Sequence, residues 1–392
     1  MIAPEPSVTD VAIVGAGPVG LAAALALADE GFAVTLLGSP DAPRDGRTVA
    51  LLDGSWRLLE TLGVAASLAG KVAPLSVMRL VDDTGSLFRQ PPVEFRASEV
   101  GLEAFGWNVA TTDLVAALSA RTAAHPAIVA APHQVEAAAP ADDAVSLRAD
   151  DGSAFVARLV VGADGRRSPM RRAAGIEARE WTYPQVALTA ILGHARDHRD
   201  VSTEFHTRAG PCTLVPLPGR RSSLVWMLTQ AEAKSVAALD DAGFAGAVEA
   251  RTRSILGALS VAGPRGAVPM AGLSVDRFGA RRVALIGEAA HVFPPIGAQG
   301  LNLGLRDVMA LRRCLRGAAD PGADAVIGAY DRARRTDVRL RTGAVDALNR
   351  SLLTDLMPAD LLRGAGLLAL AKIGPLRRLV MRQGLAGGLS AS

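Results

Sequence analysis

The chain has 392 residues, more than one hydrophobic core usually supports, so two intertwined domains are expected. With 49% hydrophobic and 21% charged residues it is composed like an ordinary globular protein, and a net charge of +3 is too small for a nucleic-acid surface. Cys212 and Cys314 form no CxxC pair, which argues against a disulfide framework or a zinc site; both read as small buried hydrophobes.

Met1 to Asp10 carries Glu5 and Asp10 and no basic run, and the apolar stretch behind it is broken by Gly15 to Pro18. That is not the pattern of a signal peptide. No stretch reaches the roughly eighteen apolar residues that suggest a membrane span. The reading is a cytoplasmic protein, with contact to the inner face of the membrane left open.

In chain order, Val11 to Val14 is a short apolar run of the kind found in a strand buried on both faces. A Gly-rich turn follows, then an Ala/Leu-rich helix over Leu21 to Glu30 that stops at Gly31, then a second strand over Ala33 to Leu37. Asp53 to Leu62 reads as a helix. Leu75 to Phe88 reads as two strands around Asp82 to Gly85. Thr111 to Ala123 reads as a helix capped by Thr111 or Thr112. Ala144 to Ala149 and Ala154 to Val161 make a hairpin around Asp151-Gly152. Pro184 to Leu228 is strand-rich. Val283 to Ile286 is another buried strand, and a helix opens near Gln299, beyond which the chain reads as almost all helix. Parallel-strand signals at both ends, with antiparallel ones between, imply a discontinuous nucleotide-binding domain.

Gly15-Ala16-Gly17-Pro18-Val19-Gly20 fits GxGxxG between a strand and a helix. Gly15 allows the tight turn, Gly17 the approach of a pyrophosphate, and Gly20 the packing of helix on strand. The helix N-terminus then faces phosphate charge. The acidic residue that normally ends the second strand and binds ribose hydroxyls is absent, since Gly38 stands there; Ser39, Arg44 or Arg47 would have to compensate.

Two further stretches matter. One runs Val161-Gly162-Ala163-Asp164-Gly165-Arg166-Arg167-Ser168-Pro169-Met170-Arg171. The other runs from Leu285-Ile286-Gly287-Glu288-Ala289-Ala290-His291 through Pro294-Pro295-Ile296-Gly297-Ala298-Gln299-Gly300-Leu301-Asn302-Leu303-Gly304. With the N-terminal turn, these resemble the three fingerprints of class A FAD-dependent monooxygenases, the p-hydroxybenzoate hydroxylase type. The loop Gly46-Arg47-Thr48-Val49-Ala50-Leu51 and the tail Thr342 to Arg350, with Gly374 to Arg378 after it, are similar to the ubiquinone-biosynthesis hydroxylases within that group.

The resemblance implies an α/β fold with an α+β substrate layer. A discontinuous Rossmann-like FAD-binding domain would take residues 1–73, 98–182 and 275–330. A mostly antiparallel β-sheet substrate domain would take 74–97 and 183–274, and a helical C-terminus 331–392. It implies cofactor-binding roles for Gly15, Gly17, Pro18, Gly20, Ser39, Arg47, Asp164, Gly165, Gly287, Glu288, Pro295, Gly297, Gly300, Leu301 and Asn302, with Arg171 bracing the second motif. Glu288 stands where the family usually has Asp, and Thr112 where several relatives carry Arg near the phosphates. The implied cofactor is FAD, with NADPH or NADH and O2 as co-substrates, acting through a flavin hydroperoxide on a hydrophobic phenol, a polyprenylated one on the route to ubiquinone.

No side chain need act as nucleophile or base in that chemistry. His291 and Pro295 are the candidates beside the flavin, and His291 is better read as a structural hydrogen-bonding group. His194, His198 and His206 lack the spacing of a metal triad, and no metal is expected. Arg332, Arg334, Arg335, Arg339 and Arg341 read as a solvated helix face. Leu361 to Leu379 reads as a helix pair packed on the body, against a basic apolar patch facing a membrane or a pathway partner. The sequence leaves the oligomeric state open. Two rivals stand beside the hydroxylase: another FAD oxidoreductase of the same fold, and a non-catalytic scaffold or lipid-binding relative, which the departures at Gly38, Glu288 and Thr112 motivate.

Overall fold

The structure is a computed structural model that describes residues 7–40, 46–84, 91–293 and 299–353. The strand Ser7–Val14 (β1), the helix Pro18–Ala28 (α1) and the strand Val34–Leu37 (β2) form the opening βαβ unit. β1 lies between β2 and Ala154–Gly162, parallel to both. Ile128–Ala131 extends the parallel sheet beyond β2, and Val283–Leu285 extends it beyond Ala154–Gly162. The expected hairpin is present as Val145–Ala149 against Ala154–Gly162.

α1 is buried from Gly20 to Ala28, which explains its composition. A helix enclosed on every side has no polar stripe. Its alanines let the helices Thr111–Ala123 and Gln299–Leu315 approach closely. Thr111–Ala123 has the bounds read from sequence, but its cap differs: Ala110 holds the N-cap position and no side chain caps the end.

The second sheet is strand-rich as expected. Its order is His291–Val292, Leu259–Val275, Ala178–His194, Arg221–Thr229, Gly210–Leu217, Val201–Thr207, Val77–Asp82 and Val93–Arg96. Every neighbour is antiparallel except Val201–Thr207 with Val77–Asp82. Val77–Asp82 therefore pairs with Val93–Arg96, further along than the two-strand reading of Leu75 to Phe88 placed its partner; residues 85–90 lie outside the described set. Helices Gln230–Ala237 and Asp241–Arg251 pack on this sheet, and Phe244 and Val248 enter its core with Leu188, Phe205 and Trp226. Neither helix was legible, because both are short and weakly patterned.

Two links join the sheets. The long strand Leu259–Val275 reaches the third motif, where Leu273 pairs with Val292 and Ser274 with His291. On the other side a small sheet of Thr48–Leu52, Gly106–Ala110 and Val72–Pro74 is tied to the antiparallel sheet: Thr48 Oγ1 donates to Ser223 Oγ at 2.8 Å and Asn108 Nδ2 to Pro216 O at 2.8 Å. The helix Asp324–Leu353 closes the parallel half. Its Tyr330 hydroxyl donates to Leu285 O at 2.7 Å, and the Asp331 carboxylate accepts from Phe278 N at 2.7 Å.

Candidate functional site

The three motifs meet at one end of the parallel sheet, and glycines set how closely. Gly15 sits at φ +110°, and a Cβ there would lie 2.3 Å from Ala163 O, so the first turn rests directly on the second motif. A Cβ on Gly20 would lie 1.9 Å from Gly15 O. Gly17 differs: a Cβ there would meet nothing within 4 Å. It is the N-cap of α1, no side chain caps that end, and no acidic residue lies in the first turn. An uncapped helix start with open space before it is an anion site in waiting. Val19 fills the gap to the third motif, since Cβ atoms on Gly287 and Gly304 would lie 3.3 and 2.6 Å from its Cγ2.

In the second motif, Asp164 Oδ2 accepts from Met170 N at 3.0 Å, while the buried Oδ1 has no partner. Burial raises its pKa, against the Ser168 and Met170 hydrogen bonds. A buried unpaired carboxylate oxygen is costly unless a ligand hydroxyl or N–H completes it. Arg171 is buried, donates from Nη1 to Ala289 O and from Nη2 to Arg166 O, both at 2.9 Å, and so clamps the second motif to the third.

Asp307 stands at the centre of the third motif. This fully buried carboxylate accepts from Gly287 N at 2.8 Å and from His291 Nε2 at 2.7 Å on Oδ2, and from Arg334 Nε at 2.6 Å on Oδ1. Burial pushes its pKa up, but His291 and Arg334 outweigh that, and the net direction is down. His291 is thus a hydrogen-bonding strut of the turn. Arg334 is 3% exposed, which corrects the solvated-face reading of its cluster; Arg332 is exposed as read, and Arg339 and Arg341 have no described side chains. Arg334 also donates to Asp337 at 2.6 Å. Sequence reading missed Val19, Asp307 and Arg334. The signal was available for Asp307, which follows Gly304 by three residues and so shares its helix face.

The other cofactor candidates fall as follows. Gly165 is at φ +75° with open space beside it, and Pro18 is the first helical residue of α1. Glu288 is exposed on the short 3-10 turn Gly287–Ala289, with no hydrogen-bond or ion-pair partner among the described residues. Asn302 is buried, and its side chain joins the helix Gln299–Leu315 to the small sheet, donating to Ala50 O at 2.8 Å and accepting from Leu52 N at 2.9 Å. Gly300 and Leu301 occupy the first turn of that helix. Arg47 is exposed, and its carbonyl accepts from Thr111 N at 3.1 Å, which places Arg47 beside Thr112 at the helix start. Gly38 is at φ +117°, and a Cβ there would lie 3.4 Å from Ala16 N. The missing acid is therefore a missing backbone geometry as well, and Ser39 beyond it is exposed. Pro295, Gly297 and Arg44 lie outside the described residues.

The three histidines of the antiparallel half are engaged in hydrogen bonds: His194 with Arg196 O and Ser222 Oγ, His198 with Leu217 O and Gly219 O, and His206 with Glu204. His133, Asp150 and Asp151 bring ligand-type atoms within 4.8 Å of one another, on the surface. Cys212 is buried with its thiol pushed up to about 12; Cys314 is only half-buried, short of the fully buried reading.

The residues present fit FAD. The open helix start at Gly17 suits a pyrophosphate, and the unpaired Asp164 Oδ1 and the exposed Glu288 carboxylate suit a hydroxylated chain. Comparison with known proteins agrees. The family model described as FAD binding domain matches residues 8–341. The chain is 37% identical to the ubiquinone hydroxylase UbiL of Rhodospirillum rubrum, over 96% of this chain and 90% of that one. It is 31% identical to the 3-demethoxyubiquinol 3-hydroxylase of Escherichia coli, over 96% of this chain and 98% of that one. Among solved structures, p-nitrophenol 4-monooxygenase PnpA of Pseudomonas putida superimposes with a TM-score of 0.80 at 19% identity, covering 98% of this chain and 100% of its own, and shares the fold.

Proposed function

The chain belongs to the FAD-binding-domain family, among the ubiquinone-biosynthesis hydroxylases, and on that premise we propose that its substrate is a polyprenylated phenol on the route to ubiquinone. It is an FAD-dependent aromatic-ring monooxygenase. The observation that carries the site is the convergence of the three motifs on an open, uncapped helix start beside an unpaired buried carboxylate oxygen.

When bound, FAD supplies the redox chemistry, taking reducing equivalents from NAD(P)H and activating O2 toward the ring. The chain's own residues position and insulate. The first-turn N–H groups of α1 and the Arg47 guanidinium hold the pyrophosphate. Asp164 and Glu288 would accept hydrogen bonds from hydroxyls of the bound cofactor. The start of the helix Gln299–Leu315, with Leu301 and Asn302, would bring the helix's positive end to bear on negative charge that bound FAD develops. The Leu273–Val292 and Ser274–His291 pairs fix the third motif to the antiparallel sheet, so the phenol bound on that sheet is held in a set relation to the cofactor.

No helix among the described residues is long and apolar enough to cross a membrane. A lipid-tailed phenol must still be met at a bilayer, and the basic, apolar segment Leu361 to Leu379, outside the described residues, is the proposed face for that contact.

The test is direct. The purified protein is reconstituted with FAD, its visible spectrum recorded, and NAD(P)H consumption followed in air with and without a prenylphenol. The expected result is near-stoichiometric flavin bands, faster NAD(P)H loss with the phenol, and a product one oxygen heavier. A colourless protein that cannot be reconstituted overturns the reading and favours a scaffold. Flavin without phenol-stimulated turnover overturns the substrate class alone.

A further inference from the structure

A cleft of about 450 Å³ opens at the far end of the antiparallel sheet, just beyond the end of Ala178–His194, lined by the connection from Ala195 to Arg199, Val201 and Thr203 of Val201–Thr207, Leu214 of Gly210–Leu217, and Ile255 and Leu256. It is well separated from the cofactor turn. His194 pairs with Leu259, whereas Arg179 pairs with Ser274 beside the third motif. The run from Leu259 to Ser274 spans on the order of 50 Å at roughly 3.3 Å per residue.

Its mouth carries Arg79, Arg196, Arg199 and Arg220, with Asp197 as the one lining carboxylate. Arg79 is neutralised by Glu94 at 2.9 Å. The other three make no ion pair within 4 Å among the described residues, although the Asp197 carboxyl, lowered first by the Arg199 backbone N–H, is near enough for the charges of Arg220 and Arg199 to lower it further. Arg196 donates to Ser254 O and Arg220 to Ala195 O, and neither they nor Arg199 has a carboxylate within 4 Å among the described residues. The peptide carbonyls orient the guanidinium groups and leave their charge. Like charges gathered in this way repel unless an anion joins them. The turn below is held in an unusual shape. Arg199 and Asp200 both adopt left-handed φ, +51° and +56°, which non-glycine residues avoid. His198 locks that turn, accepting from Asp200 N on Nδ1 and bonding Leu217 O and Gly219 O through Nε2. Leu214, Ile255 and Leu256 give the cleft an apolar floor.

We propose that this cleft binds a phosphate-bearing ligand, with Arg196, Arg199 and Arg220 on the phosphate oxygens and the apolar floor under the group that carries it. Three planar forks around one mouth exceed what the two oxygens of a carboxylate can use, whereas a phosphate offers at least three acceptors. The volume lies in the range of small-ligand pockets. A free phosphate ester and a phospholipid headgroup share this chemistry.

The FAD-loaded protein is titrated calorimetrically with inorganic phosphate, with glycerol 3-phosphate and with dihexanoylphosphatidylglycerol below its micelle concentration. The same titrations are run on R196Q/R220Q and on R199Q, whose lost guanidinium makes no hydrogen bond or ion pair among the described residues. Saturable one-to-one binding by at least one probe, weakened about tenfold or more in both variants, supports the site. Binding by the two soluble phosphates marks a free ester, and binding by the lipid alone marks a headgroup. No saturable binding by any probe overturns the proposal, as does equal binding by wild type and R199Q. Flavin content and melting temperature of each variant separate loss of the site from loss of the fold, and the readout does not involve hydroxylation.

Discussion

The two halves of this molecule are held together on different terms. In the parallel half, three separate stretches of sequence meet through single atoms: Gly20 against Gly15 O, Val19 between Gly287 and Gly304, and one buried carboxylate, Asp307, serving a backbone amide, a histidine and an arginine. In the antiparallel half, long ladders and an apolar core do most of the work, and an ion pair such as Asp241 with Arg265 lies at the rim. A site assembled from distant segments needs fixed points that tolerate no substitution. A sheet that offers a face to a substrate needs area, which is spread over many residues.

Asp307→Asn is the largest expected break in that contrast. It strips the buried Arg334 of its fully buried counter-charge and leaves only the partly exposed Asp337, and breaking a buried pair costs about 3–5 kcal/mol. The rim change Asp241→Asn should stay within about 1 kcal/mol. Urea unfolding of both variants compares them, and equal losses would dissolve the distinction. Next come the glycines. Gly20→Ala drives a methyl into Gly15 O and should cost about 1–3 kcal/mol. Gly17→Ala points into open space, so the melting temperature should scarcely move, within about 0.5 kcal/mol, while bound flavin falls. A Gly17→Ala protein that keeps its flavin at wild-type affinity would mean that the pyrophosphate lies elsewhere.

A smaller effect is pH-dependent. Glu30 joins the end of α1 to the helix Gln299–Leu315 through Arg312 at 2.6 Å and Arg316 at 2.9 Å. The Arg316 hydrogen bond, then that of Arg312, overcomes burial and lowers its pKa from 4.5 to about 2. A depressed carboxylate contributes stability in full above the unfolded value, and that contribution is lost as pH falls from 4.5 toward 2. Arg316 is largely exposed, so solvent screening holds the gain to about 1 kcal/mol. Wild type should therefore exceed Glu30→Gln at about pH 6, and the gap should shrink below pH 4.5 and close only as pH falls to about 2. A gap that does not shrink between pH 4.5 and about 2 would assign the loss to packing rather than charge.

Local signals made the parallel half legible. The Gly-rich turn, the short apolar strands and the two later motifs each sit within about twenty residues, and their residue types follow from backbone geometry alone. What joins them was hard to see, because Val19, Gly304, Asp307 and Arg334 come from three distant segments, and only Asp307, one helix turn from Gly304, carried a local signal. Arg334 misled most directly: among Arg332, Arg335, Arg339 and Arg341 it read as solvated, although its position on the helix turns it toward Asp307. The antiparallel half announced itself as strands. Its order could not be read, since Val77–Asp82 joins from far upstream in parallel with Val201–Thr207, a non-local pairing with no local trace.

The smallest predicted change runs in opposite directions on the two readouts. Thr112 stands in the first turn of Thr111–Ala123, beside Arg47, whose carbonyl accepts from Thr111 N. Thr112→Arg would place a second cation where the pyrophosphate charge is proposed to lie, and FAD should bind a few-fold tighter at low salt. The same cation faces the positive end of an uncapped helix, an unfavourable contact of about 0.3–1 kcal/mol. The apoprotein should thus melt slightly lower while the flavin holds more firmly, and added salt should shrink both effects. A variant that melts lower with no gain in flavin affinity would move the phosphates away from Arg47, and would leave the N-terminus of α1 as the anion site of the parallel half.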